Sequence, residues 1–409
     1  METTFLEFRV SNEFLNLLLD NINVAVLIAD ENLRIYHVNN SFVQLFGTGQ
    51  EQILERRFGG VTGCKYRVEE GRDCGKTSYC AECQLRHSLL KTMVSKVPVD
   101  KEKMQRIFYI DGKPVSKFLE ISTRPITYRG RDMILIILYD VTETEEQKIR
   151  LQQQQKQIEE DLEAAAEIQR TLLPQQPFSC HGVEIAWEFE PCSRVGGDIF
   201  NICCPQENRL DFYMLDVCGH GVAAALIAVS VSQFLRSRRE FSGDLPSLFS
   251  PNTVLHSLNQ AFPFERFDSY FTIIYGSVDL NRGILKYSCA GHPPPLILQP
   301  DGTLEVLDRG GPAIGIFSDE FFHQEEKKLV PGHKIVLYTD GVSEAFNTAG
   351  EMFGKHRFYQ ALRKYAHQSP ASFVEAVYQT IRDFRTTAAL EDDISLLVIE
   401  YVGNSLLSG

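Results

Sequence analysis

Five aspartates between positions 198 and 393 of this 409-residue chain stand where a carboxylate is costly. Asp198 follows Gly196-Gly197, Asp216 ends the run LDFYMLD, Asp340 ends IVLYTD just before Gly341, and Asp392 and Asp393 immediately precede ISLLVIE. The apolar runs read as strands, so the acids sit at strand ends, where desolvation and mutual repulsion both oppose ionisation. Something cationic must compensate. Lys and Arg are scarce beside them and zinc-type Cys and His ligands do not accompany them, which points to hard divalent cations with oxygen ligands, Mg²⁺ or Mn²⁺. Any one of these acids alone reads as a turn former or helix cap; their joint placement argues for metal. Cys218 lies close to Asp216 but lacks the Cys-x5-Arg cradle of a thiol phosphatase, so it is predicted to be a small packed residue.

A second constellation lies in the first half: Cys64-x9-Cys74-x5-Cys80-x2-Cys83, with His87 four residues further on. A close C-x2-C pair with two more thiols fits a four-thiolate zinc or iron–sulfur site, since both need soft ligands brought together. Spacing does not choose between the metals. A loop of reduced free thiols is the alternative, and a haem, flavin or small organic ligand is a further one.

The elements that must position these residues follow from patterning. At roughly 150 residues per domain the length implies two to three domains, and 44% hydrophobic with 23% charged residues can build real cores. A net charge of −13 argues against a general nucleic-acid or anionic-membrane surface. The longest strongly apolar run, Met133 to Tyr139, is far below the roughly 20 residues of a spanning helix, and Glu2 and Glu7 do not suit a signal peptide. The expectation is a cytoplasmic protein with neither nucleic-acid nor membrane partners.

Val24 to Ile28 and Leu33 to Val38 flank the turn formers Asp30-Glu31-Asn32 and predict a hairpin with Val24, Val26 and Ile28 on its core face. Asn40 or Ser41 is expected to cap the next helix. Phe118 to Thr123, Ile126 to Tyr128 and Met133 to Tyr139 read as three strands with turns at Arg124-Pro125 and Arg129-Gly130. From Thr142 to Leu173, Gly and Pro vanish and helix formers take over. Leu151, Ile158, Ala165 and Leu172 recur every seven residues, with Leu162 between, as a coiled-coil seam would require; Lys148, Gln155 and Gln169 weaken it, and a solvated spacer helix is the alternative. Pro174 and Pro177 mark a boundary. Beyond it, strands at Leu210 to Asp216, Phe271 to Val278, Ile284 to Ala290, Lys334 to Thr339 and Ile394 to Ile399 mix with helices at Val222 to Ser237, Thr253 to Ala261, Phe358 to Ala366 and Ala371 to Thr386. Without regular βαβ alternation, this is α+β.

VGGDIF, LDVCGHG, AGHPPPLIL, AIGIF, LYTDGVSEA and EDDISLLVIE, in this order, resemble the SpoIIE/RsbU branch of the metal-dependent (PPM, type 2C) protein phosphatases, over residues 165 to 402. AAAEIQRTLLPQ resembles the switch helix entering such domains. The resemblance implies a β-sandwich flanked by helices, two Mn²⁺ or Mg²⁺ ions, and a phosphoserine or phosphothreonine protein as substrate, with a STAS-domain anti-sigma-factor antagonist the expected one. By the same match, Asp198 is a metal ligand, Asp216 bridges the two metals, Val217 offers its backbone carbonyl, and Asp340 and Asp392 supply the remaining ligands. Asp393 stands where relatives carry Asn or Asp. His220 is either a general acid or a residue that holds the turn by hydrogen bonding, and Arg194 either orients phosphate or faces solvent. VGGDIF differs from the GGDEF signature of diguanylate cyclases, because Ile199 replaces the required acid, and the linker helix has no histidine for a histidine kinase.

The hairpin, ENLRIYHVNNSFVQLFG and the closing strands ending in YDVTE resemble a PAS domain, an antiparallel sheet with helices, and its Cys-rich segment is similar to an insertion seen in some PAS domains. The organisation expected is thus a PAS sensor at 12–143, a helical coiled-coil linker at 144–173 that dimerises together with the PAS domain, and a phosphatase domain at 174–402. A catalytically silent scaffold that binds a signalling partner is the alternative function; inactive relatives would be expected to lose one or more of the acids.

Overall fold

The computed structural model describes residues 12–30, 32–49, 52–128, 130–174, 178, 180–241, 250–318 and 320–403. Glu2, Glu7, Glu31, Arg129 and Pro177 lie outside them. The chain divides into two units between Lys156 and Gln157.

The first unit is built on an antiparallel sheet of β1 (Ala25–Ala29), β2 (Ile35–Val38), β3 (Val99–Ile110), β4 (Lys113–Tyr128) and β5 (Arg131–Asp140), in the order β2-β1-β5-β4-β3. Helix α1 (Asn12–Asn21) precedes the sheet. Between β2 and β3 lie α2 (Asn40–Phe46), α3 (Phe58–Val61), α4 (Lys65–Glu70) and α5 (Gln84–Ser95). The hairpin forms, with Leu27 opposite Val38, but its core face carries Ala25, Leu27 and Ala29 rather than Val24, Val26 and Ile28. Every β1 residue is apolar, so alternation gives no parity signal, and the small alanines let α2 approach. Arg124-Pro125 is not a turn. β4 runs through it, pairing Pro125 with Ile134, beyond the last β3 partner at Thr123, where a missing N–H costs no ladder bond on that side. The α2 cap is Asn39, not Asn40 or Ser41: its side chain accepts from the Phe42 amide at 3.1 Å and, being buried, also bonds Val26, Leu19 and Val24.

Helix α6 (Thr142–Arg170) fulfils the long-helix expectation. Its seam does not run the full length. Leu151 and Ile158 are 66% and 58% exposed, whereas Ala166 and Gln169 are buried, and Leu172 falls after the helix, packed into a core of the second unit.

That unit stacks two five-stranded antiparallel sheets. One contains β7 (Ile199–Gln206), β8 (Arg209–Val217), β9 (Phe271–Asp279), β10 (Ile284–Ala290) and β13 (Glu325–Lys328); the other contains β6 (Val183–Glu190), β11 (Leu296–Leu298), β12 (Leu304–Val306), β14 (Lys334–Tyr338) and β15 (Ile394–Tyr401). Phe212, Met214 and Ile274 of the first sheet meet Ile335, Leu337 and Leu397 of the second. The alternate residues face outward: Tyr213, Leu215 and Ile273 pack on α7 (Val222–Phe241) and α8 (Pro251–Ala261). Tyr338, Leu396 and Val398 pack on helices over Gly354–Tyr365 and Pro370–Arg385. Both faces of each sheet are covered, which is why these strands read as continuous apolar runs. Cys180 and Cys204 form a disulfide, which the sequence did not suggest.

Candidate metal centre

Two glycines let the Asp198 loop lie flat on its neighbours. A Cβ at Gly196 would fall 2.2 Å from Asp393 Oδ2, and one at Gly197 would fall 2.9 Å from the Val217 carbonyl oxygen. Asp198 is buried, and its Oδ2 accepts from Thr339 Oγ1 at 2.8 Å and Ser395 Oγ at 2.6 Å. The pairing of β14 with β15 brings those two hydroxyls side by side. Neither hydroxyl was foreseen, because Thr and Ser near strand ends carry no distinguishing pattern.

Asp393 holds the same loop from the other side. One oxygen accepts from the Cys192 amide at 2.8 Å, the other from the Asp198 amide at 3.1 Å. A Cβ at Gly341 would collide with the Asp393 carbonyl at 2.0 Å, so glycine there lets the Asp340 turn reach this strand start. Asp216, at the end of β8, hydrogen-bonds the Asp198 side chain and feels Asp340, Asp392 and Asp393.

The electrostatics record the crowding. Burial, with Asp340, Asp392 and Asp393 adding repulsion, pushes the Asp216 carboxyl up to about 7. Burial and then Asp216 hold Asp198 well above the usual carboxylate range. Asp340 and Asp392 are raised as well, chiefly by burial. Asp340 Oδ1 is buried with no hydrogen-bond partner. An orphaned carboxylate oxygen among raised acids is the signature of a site completed by cations, and an all-oxygen donor set suits hard ones. Cys192 Sγ lies beside Asp392 and Asp393, but burial and Asp393 push its thiol up to about 12, so it stays protonated.

Gly219 and Gly221, at φ 93° and 83°, turn the chain from β8 into α7. His220 between them is exposed. Cys218 is exposed too, beside Tyr270, and is not the packed residue expected; the tight turn carries it off the sheet. Arg194 is solvent-facing and pairs with Glu163 at 3.1 Å.

Gln169 occupies a position that heptad reasoning assigned to a weak seam. The structure buries it and gives it both backbone groups of Gly196: Nε2 donates to the carbonyl at 2.8 Å and Oε1 accepts from the amide at 3.1 Å. Ala166 packs beside this clamp against Val195 and Ala225. The end of α6 therefore grips the loop that carries Asp198.

Residues 206–402 match the family described as Stage II sporulation protein E (SpoIIE), and residues 13–76 match the PAS domain family. The phosphoserine phosphatase RsbP of Bacillus subtilis (strain 168) is 32% identical over 185 residues, covering 45% of this chain and 45% of RsbP. The chain thus spans less than half the length of that relative. The phosphoserine phosphatase RsbU of the same organism is 27% identical over 294 residues, covering 70% of this chain and 84% of RsbU. The SiaA-PP2C domain of Pseudomonas aeruginosa superposes with a TM-score of 0.53 at 27% identity, over 60% of this chain and 98% of that domain. Together with the helix-flanked sandwich, these matches show a PAS domain over residues 13–76 and a SpoIIE (PPM) domain over residues 206–402, the latter similar to a PP2C domain of known structure.

Proposed function

We propose that the protein is a signal-regulated, metal-dependent serine/threonine phosphatase, acting in the cytoplasm on a phosphorylated STAS-domain protein of a partner-switching pathway. The observation that carries this reading is the partly buried acid cluster with its orphaned Asp340 oxygen. Asp216 would bridge two Mn²⁺ or Mg²⁺ ions, with Asp198, Asp340, Asp392, Asp393 and the Val217 carbonyl as the other ligands. Ions held there lower the pKa of water and neutralise phosphate, so hydrolysis needs no covalent enzyme intermediate. The chain's own contribution is placement: Thr339 and Ser395 fix Asp198, and the α7 N-terminus favours an anion beside the Gly219-Gly221 turn. His220, exposed on that turn, is free to protonate a leaving serine oxygen. The acid set is complete, which gives the silent-scaffold alternative no support.

The PAS sensor at 12–143 would act through the linker at 144–173 on the phosphatase at 174–402, by setting whether Gln169 grips Gly196. Leu151 and Ile158, exposed and seven residues apart, are the natural contact for a second copy, so a homodimer through PAS and linker is part of the proposal. The four PAS thiols are assigned to a soft metal, zinc or iron–sulfur. Incubating the full chain with a serine-phosphorylated STAS-domain protein tests the substrate: phosphate release in Mn²⁺ but not in chelator is expected, and turnover of a small ester with no release from the protein would contradict it.

A further inference from the structure

Cys64, Cys74, Cys80 and Cys83 all line one cavity of about 50 Å³ in the first unit, and none is in a disulfide. Water needs roughly 10–15 Å³ by the same measure, so the space holds several atoms of that size. The fold presses on the thiols from several sides. A Cβ at Gly59 in α3 would lie 2.9 Å from Cys74 Sγ and 3.4 Å from the Cys64 Cβ, so glycine admits the helix to the site. Cys80 Sγ accepts from the Gly75 amide at 3.1 Å and lies 2.9 Å from Thr77 Oγ1.

A second, independent feature asks for an anion. Arg106 is 7% exposed, lies over Tyr79 and Tyr66 at 4.4 and 5.5 Å, and keeps its buried Nη2 without a hydrogen-bond partner. Its side chain lines the same cavity as the four thiols, together with Arg67 and Arg86. Four thiolates on a core of charge +2 leave a net −2, and the three arginines that line the cavity, Arg67, Arg86 and Arg106, supply positive charge to offset it.

The spread of the sulfurs selects the class of metal centre. At a Zn–S length of about 2.3 Å, tetrahedral ligands sit roughly 3.8 Å apart. Among the described residues, the one group of three or more potential ligands with donor atoms within 4.8 Å of one another is Cys192, Asp392 and Asp393; no three of the PAS cysteines qualify. The thiols surround a space instead of a point. We propose that Cys64, Cys74, Cys80 and Cys83 ligate a polynuclear iron–sulfur cluster, with amide and hydroxyl donors on the sulfurs and Arg67, Arg86 and Arg106 as counter-charges. This deepens the reading that the four thiols hold a soft metal.

The test is anaerobic reconstitution of the full chain with ferrous and ferric iron and sulfide, followed by iron, zinc and acid-labile sulfide analysis and visible absorption. The expected result is several iron atoms and matching sulfide per chain, with sulfur-to-iron charge-transfer bands. Cys80→Ser and Cys83→Ser should each lose more than half of the iron, while Cys218→Ser retains it. As a folding control, Mn²⁺-dependent phosphate release by each variant reports the second unit, and far-UV circular dichroism reports the whole chain. One zinc per chain without sulfide would overturn the polynuclear assignment and leave a metal centre standing. A chain that folds and keeps neither metal would overturn both.

Discussion

The acid cluster gathers its members from positions 198 to 393, while the thiol cluster takes all four of its own from positions 64 to 83. The first exists only once two sheets have stacked and the ends of β8, β14 and β15 meet the Asp198 loop; the second takes its ligands from the stretch between α3 and α5, laid against β3. They differ in chemistry as well. Oxygens at strand ends, buried and mutually repelling, suit hard ions that exchange and catalyse, whereas sulfurs around a cavity with bound N–H donors suit a resident soft centre. The long-range site should therefore respond to anything that shifts the sandwich or the loop, and the local site should respond mainly to its own ligands.

The largest expected effect comes at the acid shared by every neighbour. Asp216→Asn should lower Mn²⁺-dependent phosphate release by about 10³-fold or more, as removal of a bridging ligand from a two-metal site would. The same change removes repulsion, so the metal-free chain should melt at a higher temperature. Activity within tenfold of wild type would break the distinction between catalytic oxygen and resident sulfur.

Gln169→Ala should cost roughly 10- to 100-fold, because two hydrogen bonds to Gly196 position Asp198 without touching substrate. The loss should shrink as Mn²⁺ is raised, a dependence that a purely structural role would not give. Kinetics across a Mn²⁺ series, with Cys83→Ser as the comparison, separate a long-range effect from a local one.

These two residues also show how far the sequence could be read. Asp216 was legible because an acid at the end of an apolar run is physically anomalous, and five acids at such strand ends, in order, form a motif. Gln169 was not, since a polar residue in a heptad register with Lys148 and Gln155 fits a weak seam as well as it fits a clamp; only the fold brings Gly196 to it. Thr339 and Ser395 gave no signal for the same reason. In the first unit, C-x2-C spacing announced the thiols, while β3 gave no strand signal because it begins with the unbroken charged run Asp100 to Lys103 on a sheet edge. Pro125 misled by marking a turn where an open strand side tolerates it.

A smaller effect should appear in pH dependence. Asp216 keeps its proton in the folded chain up to about pH 7, whereas the unfolded chain releases it near its ordinary value of 3.8. The folded state then binds more protons, so stability of the metal-free chain should fall as pH rises through that window, by up to about 1.4 kcal/mol per pH unit for one such group. Melting curves between pH 5 and pH 8 should show this fall, and saturating Mn²⁺ should reverse it at the upper end. Flat curves would remove the repulsion from the account. The smallest change is expected from Leu151→Glu with Ile158→Glu, which should shift sedimentation toward monomer while altering melting of the second unit little.

The central claim is that acids distant in the chain converge to hold a pair of hard ions, and a Mn²⁺ titration with phosphate release read on the same sample tests it most directly. The account predicts two ions bound per chain, hydrolysis rising with occupancy, and loss of both in Asp216→Asn. Hydrolysis that persists undiminished after exhaustive chelation, with no bound manganese, would contradict it.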